Sequence, residues 1–347
     1  MKWRYLILIF LLPAALMAQS GNAEVGRYYT PTFEVKETLD LHYATVMGYW
    51  SDLKDETAAT DMVLQLGQVL SERSLDLYLD VYSPIDETMH YHPLVMLIHG
   101  GAFYYGSRKD EAITLWCKHL ASLGYVAVSI DYRIGFQPTL VGIERAGYRA
   151  VQDAHAAMRY LVQNNEHLGI DTSMMFAGGS SAGAITALNL MYMNDTTRPS
   201  TSYAGFLKED LGNLESSGNR IQCTFDLKGV VDMWGAISDI HLMDGNTKPV
   251  IALHGNIDNI VPYDYDYPFQ MAGDAKKLLF NKMYGSSCII DYAKRQGALA
   301  ELYTFRGYQH SPHYDKKTKK LNKNFYFIQD KMEAFFRKVM EKTHENE

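Results

Sequence analysis

A serine between small residues is the strongest chemical signal in this chain. Residues 179–183 read Gly-Ser-Ser-Ala-Gly, and they follow the apolar run 174–177. A strand, a tight turn around a serine and a helix form a nucleophile elbow, which lifts the serine hydroxyl above the sheet. Only Ser181 has the small-residue spacing of this motif, because Ala182 stands where a motif centred on Ser180 would need its last glycine. The pattern therefore predicts that Ser181 is a nucleophile.

A glycine-bearing loop upstream has the composition of an oxyanion site. A continuously apolar run, typical of a strand buried on both faces, leads into residues 99–103, His-Gly-Gly-Ala-Phe. Two glycines let backbone N–H groups approach a substrate carbonyl, and the N–H of the residue after the nucleophile is the partner donor. We expect Gly100, Gly101 and Ala182 to form the oxyanion hole, with Gly101 and Ala102 as the alternative donors from the loop.

An aspartate and a histidine follow later strand-like runs. Asp258 lies in the loop after the apolar run 250–253, and His310 follows the run 302–305 and a glycine turn. Open parallel sheets place their ligands at the carboxyl ends of the strands, so these side chains are expected to meet Ser181 there. An ionised carboxylate would hold the imidazole in the tautomer that accepts the serine proton. The sequence therefore predicts a catalytic triad of Ser181, Asp258 and His310.

Each partner of the serine has a rival. Asp232 also ends a strand-like run, although one strand earlier than the usual arrangement, and His313 stands three residues after His310. The two histidines also suggest a zinc site, but a proline interrupts a helix there and no cysteine or carboxylate set completes the ligands. We expect no metal and no cofactor. His99 and His254 are expected to fix their loops through hydrogen bonds.

The order serine, aspartate, histidine is the one that α/β-hydrolases have. With residues 99–103, 129–133 and 179–183 and the His254-Gly255 pair, the chain resembles a serine esterase of that superfamily, of the carboxylesterase or feruloyl-esterase type, over about residues 75–340. The loop departs from the family pattern because Ala-Phe follows its two glycines. The resemblance implies an acyl-enzyme mechanism acting on acyl or feruloyl esters of carbohydrates. The alternatives are a serine peptidase of the same superfamily acting on short peptides and a catalytically silent exported binding protein.

The periodicity of the chain predicts an α/β fold, a mostly parallel doubly wound sheet with antiparallel N-terminal strands and helices on both faces. From residue 94 onward, strand-like runs alternate with helical patterns such as 145–165. Residues 74–82 alternate strictly between apolar and polar side chains, which predicts a half-solvated antiparallel edge strand. Two stretches, 194–222 and 263–299, are expected to be insertions that cap the site.

The N-terminus predicts export. Residues 1–18 combine a basic start, a short apolar segment and small residues, as a signal peptide does, and the apolar segment is shorter than a bilayer-spanning helix. We expect cleavage after Ala18, or alternatively after Ser20, and a secreted or periplasmic enzyme without a stable membrane anchor. Residues 19–347 are expected to form a single α/β-hydrolase domain.

Composition limits the partners. The 347-residue chain has a formal net charge of −7 and no long basic run, which argues against nucleic acid as a partner. Three cysteines cannot all pair within one chain. In an oxidising compartment Cys223 and Cys288 are the expected pair, and three free thiols, with Cys117, are the alternative. Nothing in the sequence indicates an oligomeric state.

Overall fold

The structure, a computed structural model, describes residues 27–51, 71–86, 88, 90–137, 139–205, 208–315 and 317–345. The predicted signal peptide, residues 1–18, lies outside the described residues.

Strands in the described ranges form one large sheet and two small ones. In chain order they are β1 (Val35–Gly48), β2 (Arg73–Pro84), β3 (His92–Ile98), β4 (Val126–Ile130), β5 (Ile170–Ser180), β6 (Leu227–Met233), β7 (Ala236–Ile237), β8 (Val250–Gly255), β9 (Tyr265–Asp266), β10 (Met283–Gly285), β11 (Ala300–Phe305), β12 (Tyr314–Asp315) and β13 (Lys320–Leu321). The large sheet has the order β1-β2-β4-β3-β5-β6-β8-β11. Only the pairs β1–β2 and β2–β4 within it are antiparallel. The predicted mostly parallel sheet with antiparallel N-terminal strands is confirmed.

Helices follow most of the parallel strands. They are α1 (Glu111–Leu123), α2 (Leu140–Gln163), α3 (Asn165–Leu168), α4 (Ala182–Tyr192), α5 (Lys276–Leu279), α6 (Ser286–Arg295) and α7 (Lys323–His344). Short 3₁₀ turns occur at Ser200–Ser202, Ile240–Met243 and Gln270–Ala275. Among the described helices, none has the length and apolar character that crossing a membrane requires.

The central strands are apolar on both faces because helices cover both sides of the sheet. On β3, Leu94, Met96 and Ile98 belong to the core layer shared with α2, α4 and α6. The alternate residues Val95 and Leu97 belong to the layer shared with α1 and α7. This two-sided burial holds the carboxyl ends of β3, β5, β6 and β8 in a fixed frame, and the candidate site is built from these ends and from the loop after β11.

The expectation for residues 74–82 is half wrong. They form a strand, β2, but it lies between β1 and β4 rather than at an edge. The polar face is also less solvated than its alternation predicts, since Asp80 is fully buried and Tyr82 nearly so. The reason is a set of partners from distant segments: the Arg108 guanidinium donates to Asp80 Oδ1 at 3.1 Å and the Asp40 backbone N–H donates to the same oxygen at 2.8 Å.

The expected disulfide between Cys223 and Cys288 is also wrong, since both thiols are free, as is that of Cys117. The two residues lie in different surroundings. Cys223 Sγ lies 3.5 Å from the backbone carbonyl oxygen of Arg159 on α2, whereas Cys288 stands in the first turn of α6 beside Ser287. Burial raises the pKa of the Cys117 thiol, so this group behaves as a small apolar side chain.

The two expected insertions both contribute residues to a cavity beside Ser181, Pro199 from the first and Phe269 from the second. Residues 194–222 are attached to α2, where the Arg145 guanidinium donates to the carbonyls of Thr201 at 2.8 Å and Glu209 at 2.9 Å. Residues 263–299 contain α6, which connects β8 to β11 and packs against both strands. That part of the stretch is therefore a crossover helix of the fold.

Candidate active site

Ser181 occupies the turn between β5 and α4 in a strained backbone conformation. Its φ of 54° and ψ of −119° lie in a region that residues other than glycine rarely adopt. The Ser181 backbone N–H donates to the Met233 carbonyl of β6 at 2.9 Å, which ties the turn to the neighbouring strand. The turn places the hydroxyl at the carboxyl edge of the sheet, as the nucleophile elbow requires, and Ser181 as a whole is 9% exposed.

The two glycines of the motif are required by close backbone contacts. A Cβ atom on Gly179 would lie 2.4 Å from the carbonyl carbon of Gly183 and 2.7 Å from the Ile98 oxygen. A Cβ atom on Gly183 would lie 2.1 Å from the same Ile98 oxygen. Strand β3, the elbow and the start of α4 therefore pack with their backbones in contact, and this packing fixes the position of the serine.

The structure brings the three predicted triad residues into one hydrogen-bonded line. His310, in the loop after β11, has its Nε2 atom 2.9 Å from Ser181 Oγ. Its Nδ1 atom lies 2.6 Å from Asp258 Oδ2, and Asp258 follows β8. With Nδ1–H donating to the carboxylate, Nε2 is free to accept the serine proton. Their catalytic roles stay a prediction, but the geometry is the one that nucleophilic catalysis needs.

The two rivals lie outside this line. His313 is buried between aromatic rings, with its centroid 5.6 Å from that of Trp116 and 4.8 Å from that of Trp234. Burial, with a smaller contribution from the charge of His310, lowers the pKa of His313 to about 3. Asp232 is fully buried and accepts hydrogen bonds from the Gly235 backbone N–H at 2.7 Å and from Ser286 Oγ at 2.6 Å.

The Asp258 carboxylate is held on both oxygens. Its Oδ1 accepts backbone N–H bonds from Ile260 at 2.8 Å and Val261 at 3.1 Å, within its own loop. Its Oδ2 faces His310 and also a second imidazole, His254, whose Nε2 lies 3.1 Å away. Burial by itself would raise the pKa of this carboxyl, but the hydrogen bonds from His254 and His310 hold it well below its ordinary value. Asp258 is therefore ionised at neutral pH.

The predicted oxyanion loop lies against the nucleophile. A Cβ atom on Gly100 would lie 3.3 Å from Ser181 Cβ, and Gly101 and Ala102 have positive φ angles of 116° and 53°. Ala182 is the first residue of α4, so its N–H has no acceptor within that helix. The roles of Gly100, Gly101 and Ala182 stay a prediction, and so does the choice between Gly100 and Ala102.

His99 fixes this loop, as expected from the sequence. Its Nδ1–H donates to the Gly100 carbonyl at 2.6 Å, and its ring stacks on Tyr132 with centroids 4.4 Å apart. The Tyr132 hydroxyl donates in turn to the His99 carbonyl at 3.0 Å. Burial lowers the pKa of His99, so a neutral, structural imidazole supports the loop.

Sequence reasoning missed the contacts behind Asp258. His254 is expected only to fix a loop, yet it contacts the triad carboxylate directly, and its Nδ1 atom lies 2.7 Å from Ser286 Oγ. The contact between His254 and Asp258 could have been predicted from their spacing of four residues, because the end of a strand and the turn after it bring such positions together. No local pattern marks Ser286, which lies 32 residues farther along the chain.

An apolar cavity of about 170 Å³ opens beside Ser181. Its walls come from the oxyanion loop, α2, α4 and the two insertion stretches, and its lining includes Phe103, Gly147, Val151, Ile185, Met193, Ile260, Phe269, Phe280 and Met283. Polar groups at the lining include Glu144 and Asn281, whose side chains hydrogen-bond to each other at 2.7 Å. An apolar part of a ligand would fit next to Ser181, and a polar part would lie near Glu144.

Metal ligands are not gathered in the part of the chain that the structure describes. No group of three or more His, Cys, Asp or Glu side chains lies there in positions that could hold a metal ion. His310 contacts Ser181 and Asp258, whereas His313 packs against the rings of Trp116 and Trp234.

Several proteins to which this chain is similar are named as esterases. Residues 79–246 match the BD-FAE family, a range that includes Ser181 and ends before Asp258 and His310. Gut esterase 1 of Caenorhabditis elegans is 32% identical over 118 residues, which cover 32% of this chain and 20% of that protein. Esterase LipC of Mycobacterium tuberculosis is 24% identical over 206 residues, covering 54% of this chain and 49% of that protein. The chain thus spans half or less of the length of these curated relatives.

A solved structure matches over most of the chain. Esterase 2 of Thermogutta terrifontis, in a form phosphorylated by paraoxon, superposes with a TM-score of 0.54 and 19% identity, covering 89% of this chain and 95% of that one. At this identity the likeness concerns the fold alone. Together with the sheet order, it confirms the fold predicted from the sequence, and the predicted resemblance to serine esterases is confirmed by the family match and the curated relatives.

Proposed function

We propose that this chain, an α/β-hydrolase, is a serine carboxylic-ester hydrolase that works through an acyl-enzyme. The observation that carries the proposal is the continuous line from Ser181 Oγ through His310 to Asp258, with separations of 2.9 and 2.6 Å. A nucleophile, a base within hydrogen-bonding reach and a third group that orients the base are the parts that covalent catalysis requires.

The reaction has two steps. Ser181 Oγ attacks the ester carbonyl while His310 Nε2 takes its proton and then gives it to the leaving alcohol. The negative carbonyl oxygen lies between the Ala182 N–H and the loop at Gly100 and Gly101, where each donor stabilises the transition state by about 3–4 kcal/mol. Water, activated by His310, then attacks the acyl-enzyme and releases the acid.

The cavity beside Ser181 supports a small acyl group. Its volume of about 170 Å³ is close to the ~150 Å³ of a protein cavity that accommodates a single benzene ring. Its lining is mostly apolar, so the acyl side of the ester fits there and the alcohol side faces outward. We infer a preference for acetyl, short aliphatic or single-ring acyl groups over long fatty acyl chains.

Carbohydrate esters are the substrate class that we propose. The match to BD-FAE, a family of bifunctional feruloyl and acetyl-xylan esterases, supports this choice, and an acetyl group is small enough for the cavity. The negatively charged chain, at −7, suits an uncharged polysaccharide better than a nucleic acid.

We also propose that the enzyme is exported, on the basis of residues 1–18. Expression of the full chain in a secreting bacterial host, followed by N-terminal sequencing of the extracellular or periplasmic protein, tests this point. The expected new N-terminus is Gln19. Recovery of the uncleaved chain in the cytoplasm would contradict export.

The activity is tested on a panel of p-nitrophenyl esters of increasing acyl length, methyl ferulate and acetylated xylan. Wild type is expected to cleave the short and single-ring esters, and Ser181→Ala is expected to be inactive while it keeps its fold. A fluorophosphonate probe is expected to label wild type but not Ser181→Ala. Hydrolysis by the folded Ser181→Ala protein at the wild-type rate would exclude the mechanism, and cleavage of aminoacyl amides alone would favour a peptidase.

A further inference from the structure

Three buried side chains continue the hydrogen-bonded line behind Asp258. From Asp258 Oδ2 the line runs 3.1 Å to His254 Nε2, then from His254 Nδ1 2.7 Å to Ser286 Oγ, and from there 2.6 Å to Asp232 Oδ2. We name His254, Ser286 and Asp232 the support chain. These residues come from β8, α6 and β6, so their meeting is a product of the tertiary fold.

Every member of the support chain is completely shielded from solvent. His254, Ser286 and Asp232 each have 0% exposed area. Polar groups in this position destabilise the fold unless they are hydrogen-bonded, and apolar side chains would fill the same space at less cost. A row of three such residues that ends on the triad carboxylate therefore points to a role at the site.

The contacts fix where one proton of His254 must lie. Its Nε2 atom lies near two acceptors, Asp258 Oδ2 at 3.1 Å and the Val261 carbonyl at 3.3 Å, so Nε2 carries a hydrogen. Ser286 Oγ has two short contacts but only one hydrogen, so the second contact needs another proton. That proton lies either on His254 Nδ1, with Asp232 ionised, or on Asp232, with His254 neutral. Both arrangements have zero net charge on the support chain and present the same N–H to Asp258.

We propose that the support chain positions Asp258 for ester hydrolysis, an inference that rests on the proposed function. The His254 N–H holds Asp258 Oδ2, the oxygen that its loop amides do not contact, and Ser286 and Asp232 prevent the His254 ring from rotating or flipping. The carboxylate then keeps the His310 ring in line with the nucleophile. The three members are positioning residues, since none of them touches the serine.

A pair of substitutions at His254 tests the contact with Asp258. His254→Leu removes the donor at similar bulk, whereas His254→Gln can place its amide N–H where the imidazole Nε2–H stands. We expect His254→Leu to lower kcat on p-nitrophenyl acetate by about 10- to 100-fold with KM within about twofold, the size of effect that small misplacements of catalytic groups produce. His254→Gln is expected to recover most of this loss. Thermal unfolding of each variant measures the folded fraction separately.

Ser286→Ala tests the next link, with Ser129→Ala as its matched control. Ser129 is also a buried serine with a hydrogen-bonded hydroxyl, which donates to the Arg108 carbonyl at 2.9 Å on the far strand β4. We expect kcat to fall about tenfold in Ser286→Ala and less than twofold in Ser129→Ala, because only the first releases the ring that holds the triad acid.

Failure of the positioning role and failure of the proposed function give different results. Suppose that wild type cleaves esters and that Ser286→Ala and His254→Gln both fold. If the support-chain variants then keep the wild-type kcat, or lose as much kcat as the Ser129 control, the positioning role is wrong. If the support-chain variants lose stability without a change in kcat per folded molecule, the chain is structural only. If wild type cleaves no ester, the proposed function fails first. A selective loss of kcat that Gln restores supports the positioning role.

Discussion

His313 stacks on Trp234, with ring centroids 4.8 Å and ring planes 13° apart, while Trp234 meets His310 edge-on at 6.5 Å. The two histidines thus lie on one tryptophan in different environments. His310 has the serine within reach, whereas His313 is a neutral packing residue with its pKa lowered to about 3 by burial.

Substitution at the two histidines is expected to separate these roles. His310→Ala removes the base and is expected to lower kcat by about 10⁴-fold or more, as loss of a triad member does in serine hydrolases. His313→Phe keeps a ring on Trp234 and is expected to stay within about tenfold of wild type, since it only repacks the site. The measurement is kcat, together with kcat/KM, on p-nitrophenyl acetate. Equal losses in both variants would show that His313 takes part in the proton transfer.

Two glycines offer a matched test of the elbow packing. Gly183→Ala places a Cβ atom 2.1 Å from the Ile98 carbonyl oxygen, and a backbone that must shift there is expected to lower the free energy of unfolding by more than about 3 kcal/mol. Gly205→Ala meets nothing within 4 Å and is expected to change stability by less than about 0.5 kcal/mol. Chemical denaturation of both variants measures the difference. A stable Gly183→Ala protein would mean that β3 and the elbow are less tightly packed than described.

The pattern of continuous apolar runs predicted the central strands, and its strand ends predicted where Ser181, Asp258 and His310 meet. The features that this pattern did not predict depend on hydrogen-bond partners far away in the sequence. The burial of Asp80 depends on Arg108 and Asp40, and the second imidazole on Asp258 depends on Ser286 and Asp232. Such contacts leave no periodic trace in a single sequence, because the side chains come from elements that only the folded sheet brings together.

Stability is expected to fall at mildly acidic pH because of His155. Its ring is buried, neither ring nitrogen forms a hydrogen bond among the described residues, and burial, aided by the charge of Arg159, lowers its pKa to about 3. Since the unfolded chain binds the proton near pH 6.5, this contribution to stability is complete above pH 6.5 and is lost as the pH falls towards 3. From pH 7.5 to pH 5 the loss is about 2 kcal/mol.

His155→Phe removes this titration and keeps a ring against Phe225, which lies 5.2 Å from the His155 ring. The variant is expected to lose about 2 kcal/mol less than wild type over the same pH interval, measured by urea unfolding at both pH values. His313, buried in the same way, stays in the variant and keeps part of the acid sensitivity. Identical losses in the two proteins would contradict the assignment.

The cavity beside the serine is expected to set acyl specificity through Gly147. This residue lies on α2 in the cavity wall, and a Cβ atom there would meet Phe103 at an ordinary 3.6 Å. Gly147→Leu fills the cavity and is expected to lower kcat/KM for methyl ferulate by about tenfold or more, with p-nitrophenyl acetate changed less than about threefold. Gly147→Ala fits without displacement and is the control, expected to cleave both esters like wild type. A uniform loss on both esters in Gly147→Leu would place the acyl group elsewhere.

The bonds to Asp258 have a consequence for how many protons move during the reaction. A carboxylate has about four acceptor positions, and here two backbone amides occupy Oδ1 and two imidazoles occupy Oδ2. A proton from outside these bonds would have to displace one of the four donors. The lowered pKa of Asp258 keeps the proton of the shared bond on His310, so in the proposed reaction the carboxylate remains charged, and a single proton, moving between Ser181, His310 and the leaving group, accounts for the acid–base chemistry of each half of the cycle.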